Sequence, residues 1–280
     1  MSASFALAAV PIGPAGRDPA PCWREAETGI AAAAASGAGL AVLPELFALP
    51  YIAGEAPAAW AHLAEDEDGP TSRRMSAAAQ ASGTAVLFGL ALRAGDGAPL
   101  NAARLARPDG RVETVAVKIH LPPPGPGEPY GEAHHFAPGA PRIATFDVGP
   151  VRVATLICYD RRFPECWRAA AQAGADVVAV LVGGPAPGDP EGLFAAELQA
   201  GARSNAVYAV AASRYGTETV SGRPVRHDGE TLAVGPDGGM IARMPRGGPR
   251  RLIVPIDPGR LAHARETNAT ARRLRLPLAS

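Results

Sequence analysis

Cysteine is scarce in this chain. Its 280 residues hold only Cys22, Cys158 and Cys166, an odd number too small for a disulfide framework. No two have C-x-x-C spacing, so structural zinc is not expected and no metal ligands are predicted. An excess of either charge is also missing. Lys plus Arg and Asp plus Glu number 27 each, which argues against the broad basic surface that nucleic acid or anionic lipid needs. No window of about 18 residues is free of charges and breakers, so no membrane span is predicted. The N-terminus, MSASFALAAVPIGPAGRDPA, lacks a positively charged start, and its apolar run breaks at Pro11. It reads as a first strand rather than a signal peptide. A reducing cytoplasm fits these absences.

What is present suits a globular protein with a sizeable core: 47% hydrophobic and 19% charged residues. Residues 5–10 read as a strand and 20–36 as a helix, its Ala-rich run packed rather than disordered. The apolar run 39–43, ending in Pro44-Glu45, reads as a buried strand. A helix over 71–82 is expected to be capped by Thr71 or Ser72. A strand follows at 84–92, and Asp109-Gly110 marks a hairpin between 101–107 and 111–117. Strands 142–147 and 151–157 pair around Gly149-Pro150, followed by helix 164–173, strand 176–182, helix 191–204 and strand 207–212. The last strands are expected at 231–235, 239–244 and 251–256, with turns at Pro236-Asp237-Gly238 and Gly247-Gly248-Pro249. This alternation implies an α/β fold with a mixed sheet or two sheets. Nothing splits the chain, so 1–280 is read as one domain, and the Pro/Gly-rich segment 122–131 as a site loop rather than a linker.

Four residues could carry chemistry. Cys158 closes the apolar run VRVATLI and precedes a helix start, where backbone N–H groups can face an oxyanion and favour a thiolate. Position alone does not separate it from a buried core cysteine. Glu45 ends another apolar run, AVLPELF. A carboxylate is unusual there, although a solvated strand end would hold one. Strict alternation in VETVAVKIHL puts Val115, Val117 and Ile119 on one face, and Thr114, Ala116, Lys118 and His120 on the other. Lys118 then either points into a cleft or snorkels to water, the usual outcome. Glu132 follows the Pro/Gly loop, where a glutamate is ordinarily just solvated. Together these residues supply what histidine-free thiol chemistry on an amide needs: a carboxylate base, a cation for the oxyanion and a nucleophile.

These segments resemble the carbon–nitrogen hydrolase (nitrilase) superfamily over nearly the whole chain. LPELF around Glu45, VKIHLP around Lys118, EAHHFAPG from Glu132 and ICYDRRFPECWR around Cys158 are similar to its motifs in order. ARSNAVYAVAASRYG and HDGETLAVGPDG match its downstream segments, and Asn101 and Pro108-Asp109-Gly110 its hairpin. The resemblance implies a four-layer α-β-β-α sandwich of the nitrilase type. It implies a Glu45–Lys118–Cys158 triad with Glu132 in support, the backbone N–H of Tyr159 beside the oxyanion, and no metal or organic cofactor.

The closest branch in appearance is the N-carbamoyl-D-amino-acid hydrolases. The resemblance makes Arg161 a candidate for a substrate carboxylate, with Arg162 as scaffold. His120 and His135 are candidate pocket residues, weighed against ordinary loop histidines. Departures from the branch are Tyr130 for a histidine, Gly183-Gly184 for a polar pair and Val117 for an arginine. Cys22 and Cys166 read as structural. The expected activity is hydrolysis of a small linear amide or N-carbamoyl compound. The alternatives are nitrile hydrolysis by the same residues, which Tyr159 in place of tryptophan disfavours, and a silent binding module on the same scaffold. The expected partners are a small-molecule substrate and further copies of the chain, as a homodimer or higher homo-oligomer. Residues 264–280 are read as an interface tail.

Overall fold

Two runs of parallel strands, each with helices on one face, set the architecture. The computed structural model describes residues 5–52, 55–95, 97–125, 127–184, 189–228, 230–244 and 251–272. In chain order the elements are β1 (Phe5–Ala9), α1 (Ala20–Ala35), β2 (Leu40–Val42), α2 (Pro57–Trp60), α3 (Pro70–Ser82), β3 (Ala85–Leu92), β4 (Leu100–Ala106), β5 (Val112–Val117), β6 (Thr145–Val148), β7 (Val151–Ile157), α4 (Pro164–Gln172), β8 (Val177–Val182), α5 (Leu193–Asn205), β9 (Tyr208–Ser213), β10 (Tyr215–Val220), β11 (Arg223–Asp228), β12 (Leu232–Val234), β13 (Met240–Arg243), β14 (Leu252–Ile256), α6 (Pro258–Thr267) and α7 (Ala269–Arg272).

One six-stranded sheet runs β14-β1-β2-β3-β4-β5 and the other β13-β12-β9-β8-β7-β6. Strands β1, β2 and β3 are parallel, as are β7, β8 and β9, and the outer strands pair antiparallel. The period of two sorts the side chains. Leu7 and Ala9 face the other sheet, while Ala8 and Val10 pack toward α1 and α3. Val177, Ala179 and Leu181 face inward, while Val178 and Val180 pack toward α4 and α5. Both faces of each sheet are therefore buried, which is why these strands read as unbroken apolar runs. The result is the four-layer α-β-β-α sandwich.

Truncation in the layer between the sheets leaves a cavity that rigid neighbours on both sides cannot fill. Leu181→Ala is expected to cost about 2–5 kcal/mol, checked by chemical denaturation. A loss well under 1 kcal/mol would mean that the sheets collapse onto the gap.

The structure differs from the sequence reading in several places. Neither Thr71 nor Ser72 caps α3. Pro70 occupies its first position, and the Glu65 carboxylate accepts the Thr71 N–H at 2.8 Å and the Thr71 hydroxyl at 2.5 Å. An anion brought back from the preceding loop satisfies that end. Strict alternation fails in β5: the register shifts between Ala103 and Arg104, and Val115 and Ala116 both pack against the inter-sheet core. The β10–β11 ribbon has no counterpart in the sequence reading because its inward residues include polar ones, Glu218 and His227, which erase the apolar alternation. Helix α6 was equally hidden, although Asp257 caps it by accepting the Gly259 N–H at 2.8 Å. The start of the supposed tail docks on its own chain, with Asn268 Nδ2 donating to the Arg203 carbonyl. The turn at Gly247-Gly248-Pro249 and residues 273–280 lie outside the described residues.

Candidate active site

The carboxyl ends of β2, β7 and β8 and the end of β5 converge on one buried cluster. Glu45 is carried there because Gly89 on β3 has no side chain: a Cβ at Gly89 would lie 2.6 Å from the Glu45 Cα. Both Glu45 oxygens are then fixed. Oε1 accepts Lys118 Nζ at 2.8 Å and Asn101 Nδ2 at 2.7 Å, and Oε2 accepts the Gly183 N–H at 2.9 Å. Lys118 does not snorkel. It is 0% exposed, and its ammonium also donates to Glu132 Oε1 at 2.6 Å. An ammonium has three donors, so one remains for a ligand. Asn101 Nδ2 also reaches Glu132 Oε2 at 3.3 Å, tying both carboxylates to β4.

Cys158 begins a single helical turn over Cys158–Arg162, with φ of 46°. A non-glycine residue in the left-handed region costs about 1–2 kcal/mol, a strain held by the surrounding contacts. Asp160, buried two residues on, accepts the His120 N–H at 2.8 Å and the Ile119 and Ile157 N–H groups at 3.4 Å each. It thereby clamps the segment after Lys118 to the Cys158 turn.

The electrostatics are coherent. Burial first, and the Glu45 charge second, push the Cys158 thiol up to about 11, against the pull of Lys118 and Arg161. The resting group at neutral pH is therefore a thiol that needs a base. Burial alone would pull Lys118 down, but Glu132 and Glu45 outweigh it and hold it above the ordinary lysine range. Burial pushes the Glu132 carboxyl up, Lys118 opposes this, and the Glu45 charge adds to the rise. The site thus offers a protonated thiol, a cation and two carboxyl groups, which is the equipment for acyl transfer.

The predicted binding residues fare unevenly. Arg161 lies beneath the nucleophile, 4% exposed, its Nε 2.9 Å from Glu197 Oε2 and its Nη1 donating to the Cys158 carbonyl at 2.9 Å. Arg162, read as scaffold, is the more open of the two: its side chain is 29% exposed, lies over the Tyr159 ring and pairs with Asp189. Arg161, the candidate for a substrate carboxylate, is thus paired with Glu197, which α5 supplies and which the sequence could not place beside it. His120 is stacked on Phe163 at 3.6 Å with Nδ1 2.9 Å from Asp160. His135 is 3% exposed, its Nδ1 3.2 Å from the Gly131 carbonyl and its Nε2 2.9 Å from that of Glu55; a neutral imidazole donates to one of these carbonyls at a time. Tyr159 sits on the nucleophile turn, its ring edge against Phe163.

Asn101 and Gly183 are the site residues whose roles the sequence reading missed. A buried amide in an apolar strand was the available signal for Asn101. Gly183 had none, since it acts through its backbone N–H. A Cβ there would lie 2.7 Å from the Glu45 carbonyl, so Gly183→Val is expected to displace the carboxylate. A shift of about 1 Å predicts a roughly hundredfold lower kcat, read in steady-state kinetics; an unchanged kcat would show that Glu45 tolerates the displacement.

Among the described residues, His120, Asp160 and Cys166 place potential ligand atoms within 4.8 Å of one another. Asp160 is already committed to three backbone N–H groups, and burial, with Asp160 and Glu165 adding, pushes the Cys166 thiol up to about 12. The trio is better suited to clamping the turn than to coordination.

A family model described as carbon-nitrogen hydrolase matches residues 6–266. A protein of Pseudomonas protegens, "Hydrolase in pqqF 5'region", is 35% identical over 74% of this chain and 68% of its own. An "(R)-stereoselective amidase" of Pseudomonas sp is 34% identical over 72% of this chain and 69% of its own. Among solved structures, a mutant amidase from Nesterenkonia sp. AN1 superimposes with a TM-score of 0.71 at 27% identity, covering 94% of this chain and 96% of that one. It shows Michael addition of acrylamide at its active-site cysteine.

Proposed function

Since the chain belongs to the carbon–nitrogen hydrolase family and is an enzyme that hydrolyses amide C–N bonds, we propose that Cys158 is its nucleophile, acting on a small linear amide or N-carbamoyl compound. Glu45 takes the thiol proton as the sulfur attacks the carbonyl carbon. The oxyanion is held by the third Lys118 donor and the Tyr159 N–H. Its collapse expels ammonia or an amine, which takes the proton back from Glu45. Glu45 then deprotonates a water that attacks the thioester, and acid and free thiol are regenerated. Glu132 keeps Lys118 charged and oriented.

The observation that carries this reading is the buried bridge from Glu45 through Lys118 to Glu132, whose charges all bear on Cys158. Burying three charges is costly unless each is paired, and a bridge serving packing alone would not need to act on a thiol.

Added hydroxylamine should intercept the thioester and give a hydroxamate, with an acyl mass increment on the peptide holding Cys158. Ammonia release without hydroxamate or adduct would rule out the covalent route. The same proposal includes a homo-oligomer and a cytoplasmic setting, the latter resting on the scarcity of cysteine. No described helix is long and apolar enough to cross a membrane. Deleting residues 269–280 should weaken the oligomer, and an unchanged sedimentation coefficient per subunit mass would refute the interface role.

A further inference from the structure

The cations around the nucleophile already face carboxylates: Lys118 with Glu45 and Glu132, Arg161 with Glu197, and Arg162 with Asp189. Glu128, half-buried in the Pro/Gly loop, is different. Among the described residues no cation pairs with it. Arg223, on the neighbouring β11, donates to the Gly127 carbonyl instead, at 3.1 Å. Among the described residues, the Glu128 charge is held by uncharged donors: the Tyr51 hydroxyl at 2.8 Å from Oε1 and the Gly125 N–H at 2.8 Å from Oε2. Each oxygen keeps acceptor capacity beyond these bonds.

Tyr51 is itself built into place. Its N–H donates to Glu218 Oε1 at 2.9 Å, and its ring stands edge-on to His227 with centroids 6.1 Å apart. Glu218 is fixed in turn by Arg214 at 3.0 Å and His227 at 2.8 Å. A Cβ on Gly184 would lie 3.3 Å from Tyr51 Cε2, so Tyr51 abuts the end of β8 that also holds Glu45. Burial, then the Glu128 charge, with Glu132 and Cys158 adding, push the Tyr51 hydroxyl above the ordinary tyrosine range. It stays a donor to Glu128.

We propose that Glu128, oriented by Tyr51, receives a positively charged group, an alkylammonium, that the substrate carries away from its scissile carbonyl. This rests on the amide-hydrolase reading above and adds the substrate class: ω-amino amides or ω-amino N-carbamoyl compounds. The physical reason is complementarity. A carboxylate with neutral donors and no counter-ion, beside a site whose arginines are already neutralised, attracts a cation and repels an anion.

The test uses three amides of equal chain length, ending in an ammonium, a methyl or a carboxylate. The ammonium compound should be preferred over the methyl one by about tenfold or more in kcat/KM, chiefly through KM, as a desolvated ion pair allows. The carboxylate compound should be the poorest. Glu128→Gln should bring the ammonium-to-methyl ratio close to one, while Glu128→Asp, which keeps the charge, should retain part of it. Tyr51→Phe should weaken the preference without reversing it. Equal losses on both substrates in Glu128→Gln, or no ammonium preference in the native enzyme, would overturn the proposal.

Calorimetric binding of the same compounds to Cys158→Ala separates the two readings. If the native enzyme turns over none of them, the hydrolase assignment of the site fails. If the ammonium compound binds no tighter than the methyl one, the Glu128 assignment fails, whatever the turnover.

Discussion

Replacing Cys158 with alanine should abolish hydrolysis, with a loss of about 10⁴-fold or more, as for other enzymes stripped of a covalent nucleophile. The variant should fold normally, because alanine keeps the Cβ and removes only the sulfur, which lies 3.8 Å from Arg161 Nη1 at the edge of the core between the second sheet and its helices. Cys158→Gly sharpens the test. With φ of 46° at this position, glycine removes the left-handed strain at once and should offset part of its own entropic cost. An inactive variant of equal or higher Tm than Cys158→Ala would show that the strained turn serves chemistry rather than stability. Undiminished ammonia release by Cys158→Ala, across amides and N-carbamoyl compounds, would dismiss the cysteine as nucleophile.

Lys118→Met should produce the largest combined loss. Methionine fills the volume but leaves Glu45 and Glu132, now bridged by the ammonium at 2.8 and 2.6 Å, facing each other across a buried gap. Removing one partner of a buried ionic cluster costs about 3–5 kcal/mol, and losing an oxyanion donor lowers kcat by about 10²–10³. The pH dependence has a definite sign. Burial already raises the Glu132 carboxyl above its ordinary value of 4.5, and Lys118 is the main group opposing that rise. Without the lysine the folded Glu132 carboxyl titrates higher still. The folded state then holds a proton that the unfolded chain has released, so stability falls as pH rises from the unfolded value through the folded one. The native carboxyl already loses this stability between 4.5 and about 7, so the deficit against the native enzyme should grow above about pH 7 in chemical denaturation. A pH-independent deficit would mean that solvent enters and relaxes the gap. A negligible deficit would mean that the bridge does not stabilise the fold.

The chain order carried more of this site than is usual for a buried cluster. Glu45 and Cys158 stand at the ends of apolar runs, and strand length and period are local properties that hydropathy records directly. Lys118 was ambiguous because alternation assigns it a face and not a depth. Its burial follows from Glu45 and Glu132, separated from it by 73 and 14 positions. Arg161 and Arg162 are adjacent and chemically identical, so their sequence pattern could not tell the locked guanidinium from the open one. Glu197 on α5 makes that distinction, by approaching Arg161 from 36 positions away (197 minus 161). The β10–β11 ribbon stayed hidden because Glu218 and His227 face inward and compensate each other at 2.8 Å, whereas a pattern reader expects apolar residues there.

The sequence by itself determined the layers, the strand ends and the residue types that meet there, because each depends on covalent neighbours and on a period of two or of 3.6. Only the tertiary structure decided which charges are matched. It puts Lys118 between two carboxylates, Arg161 against the Cys158 carbonyl, Gly183 against Glu45, and Glu128 beside Tyr51 with no cation paired to it among the described residues. The reason is physical. Coulombic and hydrogen-bond energies fall off over a few ångströms of space, and distance along the chain carries no such information.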